Sequence, residues 1–142
     1  MAIRHVSEVC RHLADRERST TLLAHLTPWA SQILVGGWGQ TIEGASDRAI
    51  GHLLATMGRL DEADAAFTAA ADLERSAGFP PLAARTQYWH ARTLLERDAP
   101  GDRPRARVLL DDVVDSSGRL GMALLHDQAR TSREQLDTLP IR

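Results

Sequence analysis

The chain has 142 residues, 43 % of them hydrophobic and 25 % charged, with a formal net charge of −2. That length suits one domain and a real core, with roughly 70 % of the unfolded surface leaving water, and the near-neutral balance argues against direct nucleic-acid binding, which needs a basic excess. A lone cysteine, Cys10, excludes an intrachain disulfide framework, and no apolar run approaches the ~18 residues of a membrane span, so no membrane is expected and the cytoplasm is the expected location.

Alanine, leucine and arginine dominate, aromatics are only 4 %, and β-branched residues thin out after Val35. Such a composition favours helix over sheet. Ile3, Val6, Val9, Cys10, Leu13 and Ala14 recur at spacings of three and four, the stripe of an amphipathic helix over about 2–14. Asp15 is placed to cap a second helix, which carries Thr20, Leu23, Ala24 and Leu26 and ends near Pro28 and Trp29. The run Gly36-Gly37-Trp38-Gly39 then breaks any regular element, so 31–46 is expected to be a glycine-rich loop.

From Ser46 the pattern is regular. Ile50, Leu53, Leu54 and Met57 share one face of a third helix, with Gly58 as its left-handed cap. A fourth helix starts at Asp61, with Asp64 suited to the positive helix start; it buries Ala63, Phe67, Ala70, Leu73 and Ala77 before Gly78. Pro80-Pro81 open a fifth helix, which turns Ala84, Tyr88, Ala91, Leu94 and Leu95 inward. Asp102 is the expected cap of a sixth, with Ala106, Leu109, Leu110, Val113 and Val114 on its apolar face and Gly118 as its stop. Met122, Leu125, Ala129 and Leu136 mark a seventh, and Pro140 follows it. No segment reads as a credible strand. The expected fold is all-α, with about seven antiparallel helices stacked as helical hairpins in a short α-solenoid. The pairs fall at 1–30, 46–78 and 80–118, with a capping helix at 120–138.

Two of these pairs can be laid over each other. Gly51, Gly58, Ala63, Phe67 and Ala70 take the small, turn and bulky positions of one unit, and Ala91, Ala106, Leu110 and Val113 take the matching positions of the next. In this they resemble tetratricopeptide repeats with lengthened helices. Gly58-Arg59-Leu60-Asp61-Glu62-Ala63, Ala83-Ala84-Arg85-Thr86-Gln87-Tyr88, Ala99-Pro100-Gly101-Asp102-Arg103 and Gly121-Met122 look like something narrower. They resemble the C-terminal helical-repeat region of actinobacterial-type LuxR-family regulators and signalling ATPases. The resemblance implies a non-catalytic protein–protein interaction scaffold, part of or related to a bacterial transcriptional regulator. It also allows an effector-sensing fragment of such a regulator, or a self-associating homodimer module. Neither an ATP-binding module nor a DNA-binding helix-turn-helix is recognisable in these residues.

Stacked helix pairs make a concave surface, which takes a protein or peptide, a neighbouring domain or a second copy of the chain. Arg48, His52, Thr56, Arg85, Tyr88 and Arg92 are the polar positions expected to line it. No enzyme, metal or cofactor is expected. Gln40 stands where a phosphate-cradling loop needs lysine. His5, Cys10 and His12 lack the geometry of a zinc site, so Cys10 reads as buried and the histidines as partly exposed. Asp111, Asp112 and Asp115 read as a solvated helix face, with Arg107 and Asp111 as a helical ion pair. Trp29 is expected in the core, and one of Tyr88 and Trp89 should face inward; for Trp38 an exposed or interface role weighs evenly against core packing, because glycines surround it.

Overall fold

The computed structural model describes residues 3–138, with side chains from His5 onward. Residue 2 of the expected first helix, the side chain of Ile3 and Pro140 lie outside the described part. Among the described residues there are seven α-helices: α1 (Ile3–Leu13), α2 (Arg16–Leu26), α3 (Ser46–Thr56), α4 (Leu60–Ser76), α5 (Pro80–Arg97), α6 (Asp102–Arg119) and α7 (Ala123–Thr138). None of them is long and apolar enough to cross a membrane. The molecule is mostly helical, and α3 to α7 pack in chain order, each on the next, while α1 and α2 lie on α3.

The segment between α2 and α3 departs from expectation. It is a β-hairpin, in which β1 (Ile33–Gly36) pairs antiparallel with β2 (Thr41–Ala45). The glycines are the turn of this hairpin, because Gly37, Trp38 and Gly39 all adopt positive φ and reverse the chain. Ile33, Val35, Thr41 and Ile42 supply the β-branched content around it. An isolated two-stranded hairpin is marginal in water, and polar clasps hold this one to the helices. Asp47 Oδ2 accepts the Ser31 N–H at 2.7 Å, and the Gln32 carbonyl accepts the Ser46 N–H at 2.8 Å. Glu74 of α4 accepts the Ala45 N–H at 2.9 Å through Oε1 and the Thr86 hydroxyl at 2.6 Å through Oε2. Arg48 lies beside Glu74 at 3.8 Å and donates to the Glu43 carbonyl. Gly44 makes this close approach possible: its φ is +103°, and a Cβ there would overlap the Arg48 guanidinium and the Glu74 carboxylate.

Two apolar clusters form the core. Cys10, Leu26, Ile50, Leu53 and Phe67 are among the residues that join α1 to α4, and Tyr88, Leu94, Leu110, Val113 and Leu125 are among those that join α5 to α7. Trp89 packs against both clusters. Gly51 lets α3 approach α4, since a Cβ would stand 3.0 Å from three atoms of the Phe67 ring.

Local details correct several expectations. Asp15 does cap α2, accepting the Arg18 N–H at 3.0 Å. α4 starts one residue before Asp61, which sits inside its first turn and binds Arg97 at 2.8 Å. Asp102 begins α6, but its carboxylate turns back to the Ala99 N–H and to Arg97. Gly118 lies within α6, and the left-handed residue after that helix is Gly121. Arg107 pairs with Asp137 and Asp111 with Arg133, both across to α7 and not with each other, because α7 brings opposite charges alongside. Trp29 is 58 % exposed, since Leu26 fills the core position at the end of α2.

Candidate functional site

A concavity of about 1200 Å³ is walled mostly by alternate helices, with Arg16 from the start of α2. α1 brings Arg11 and His12, α3 brings Ala55 and Thr56, α5 brings Trp89, Arg92, Leu95 and Glu96, and α7 brings Ser132, Gln135 and Leu136. The α5 residues fall three and four apart, so one face of one helix makes the floor. A smaller hollow of about 340 Å³ includes Glu8, Arg85, Tyr88, Met122 and Leu124, and Trp89 lines it too.

Trp89 is the centre of this floor. His12 meets its ring edge-on at 5.9 Å between centroids, His52 at 4.9 Å and Tyr88 at 5.7 Å. The Arg11 guanidinium carbon stands 5.3 Å from the Trp89 centroid, within the range of a cation–π contact. Arg11 Nη2 donates to Glu96 at 3.1 Å and to Thr93 Oγ1 at 3.3 Å. Burial, and to a smaller extent Arg92, pull the Arg11 pKa down, while Glu96 pushes it up; arginine nonetheless remains charged in water.

Of the six residues expected to line the groove, four reach these hollows. Thr56 and Arg92 line the larger, and Arg85 and Tyr88 the smaller, with Tyr88 almost wholly buried and its hydroxyl accepting from Arg92 at 3.1 Å. Arg48 and His52 do not. Arg48 is covered by the hairpin it helps to hold, and His52 is buried edge-on between Phe67 and Trp89. Their spacing on α3 points to the inner face, yet the hairpin and Trp89 lie over that part of the helix. Arg11, His12, Trp89 and Glu96 were not foreseen as groove residues. For α5 a signal existed, in the helical spacing of Arg85, Trp89, Arg92 and Glu96. For Arg11 none did, because its partners are more than eighty positions away.

A second polar cluster joins α4, α5 and α6. Asp64 accepts from His90 at 2.6 Å, from Arg97 at 2.9 Å and from both terminal nitrogens of Arg105 at 2.9 Å. Arg97 also reaches Asp61 and Asp102. Burial pushes the Asp64 carboxyl up, but hydrogen bonds from Arg105 and His90 outweigh it and leave the group far below the usual carboxylate range. His90 and Asp64 stand as a base and its orienting acid would, yet the arginines claim both carboxylate oxygens. The cluster is a clamp between three helices. Among the described residues no group of three or more histidine, cysteine, aspartate or glutamate side chains is placed to hold a metal ion.

Comparison with known proteins gives no match to a family model, to a curated protein or to a solved structure.

Proposed function

We propose that this chain is a non-catalytic binding scaffold of the tetratricopeptide kind, whose helical hairpins stack antiparallel and seat a segment of a partner protein in the concavity floored by Trp89. The observation that carries this reading is the alternation of the walls. α1, α3, α5 and α7 supply most of the lining, with Arg16 added from the start of α2, and these four are the helices that come first in each pair and the capping helix. In a solenoid of helix pairs such helices form the inner surface. The lining also has the composition of a contact surface, with an aromatic, an aliphatic edge and arginines. The titratable groups that converge elsewhere are spent on one another in the Asp64–His90–Arg97–Arg105 clamp.

Capture from a lysate of the source cell tests the reading, with Arg92→Glu as the comparison. Arg92 is exposed, so reversing its charge leaves the fold intact. The expected outcome is a partner retained by the native chain and lost from the variant at unchanged helicity. A partner held equally by both would place the binding face elsewhere.

A further inference from the structure

We propose that the concavity is a carboxylate site, in which an oxyanion pairs with Arg11 and Arg92 and the apolar body that bears it lies on Trp89, Leu95 and Leu136. This deepens the reading of the concavity as the binding face and rests on it. Three features of the site carry it.

The lining is cationic. Arg11, Arg16 and Arg92 stand in it with His12, against Glu96 as the acidic residue of the wall. A hollow with an excess of one sign of charge concentrates counter-charge.

The Arg11 fork is half used. Its Nη2 is taken by Glu96 and Thr93, whereas its Nη1 is buried and has no hydrogen-bond partner among the described residues. Arginine presents paired donors that match a carboxylate two by two, and a buried donor left unmade is costly. A carboxylate in the hollow supplies the missing acceptor once the Arg11 side chain, 12 % exposed, turns toward it. Glu96 engages one arm of that fork with the same chemistry, and its own side chain is 52 % exposed and free to yield.

The floor beneath the cation is apolar. Arg11 stands over the face of Trp89, so a ligand that reaches the guanidinium brings its carbon skeleton against the ring and the adjacent leucines. The volume, about 1200 Å³, admits either a free arylalkyl acid or a glutamate-bearing peptide segment. Carboxylate is the chemistry both share.

Calorimetric titration of the full chain tests this with four probes: 4-phenylbutyrate, 4-phenylbutylamine, a blocked peptide alternating glutamate and leucine, and the same peptide with glutamine for glutamate. Binding of at least one carboxylate probe is expected, with its uncharged or cationic counterpart inert. The free acid alone identifies a small-molecule source, and the peptide alone a protein source. Arg11→Gln should weaken binding at least tenfold and Arg92→Gln several-fold, with helicity checked by circular dichroism. Glu96→Gln should tighten it several-fold, because it releases Arg11 Nη2; a merely structural Glu96 would not do so. Equal binding of acid and amine, absence of binding by both carboxylates, or weakening by Glu96→Gln overturns the proposal. Failure of every carboxylate beside an Arg92-dependent partner removes this inference and leaves the scaffold; carboxylate binding without any such partner does the reverse.

Discussion

His52 has no exposed surface, and neither of its ring nitrogens has a hydrogen-bond partner among the described residues. It is held by ring contacts, edge-on to Phe67 at 5.3 Å and to Trp89 at 4.9 Å. Burial first, then the charges of Arg11 and Arg48 and the nearby His12, keep its pKa well below the ordinary histidine value. The unfolded chain takes up that proton near pH ~6.5. The folded protein therefore binds fewer protons than the unfolded one as pH falls past that value, and stability present above it is lost below. His90 acts in the same direction, since burial outweighs the pull of Asp64. The thermal midpoint should drop between about pH 7 and about pH 5, ahead of the carboxylate range, and drop less steeply in His52→Phe. Equal slopes for the two proteins would show that His52 does not carry the effect.

At the scale of an element, the hairpin depends on one carboxylate. Glu74 is wholly buried, accepts the Ala45 N–H and the Thr86 hydroxyl, and neighbours the buried Arg48. Removing one partner of a buried charge pair leaves the other uncompensated, at a cost of about 3–5 kcal/mol. Glu74→Ala should lose stability on that scale in urea denaturation, and hydrogen exchange at the amides of β1 and β2 should quicken more than at α6. A loss below about 1 kcal/mol, or uniform exchange, would mean that the strands hold by themselves. The tip behaves differently. Trp38 is fully exposed at a φ of +60°, with Val35 and Ile42 exposed as neighbours across the strands.

Across the whole molecule, Trp89 couples what would otherwise be two cores. It packs on the α1–α4 cluster and on the α5–α7 cluster, and it floors both hollows. Truncating a fully buried aromatic costs about 3–5 kcal/mol. Trp89 is partly buried, so Trp89→Ala should cost less than that range but still broaden the unfolding transition, with the amides of α1 to α3 opening before those of α5 and α6. A transition as sharp as the native one, with both halves exchanging together, would show that the α4–α5 contact alone unites them. The Asp64 clamp spans that contact from another side, tying α4 to α5 through His90 and Arg97 and to α6 through Arg105.

The five helices from Ser46 onward were legible because their signals are local. Apolar spacing, the proline pair at 80–81 and the glycine after each of α3 and α4 act within a turn or two of the residues they shape. The apolar stripes of α4 to α6 also predicted Ala63, Phe67, Ala91, Leu94, Ala106 and Leu110 as core, and all of them are buried. Glycines between two short apolar runs leave loop and hairpin equally open in a sequence, and only the clasps from Asp47, Ser46 and Glu74 choose the hairpin. Thr56 and Arg92 were readable as lining residues from their helix face alone. The burial of Arg48 and His52 was not, and neither was the place of Arg11 over Trp89. Those depend on residues brought together from distant parts of the chain, and a charge reads the same in sequence whether a hairpin covers it or water does.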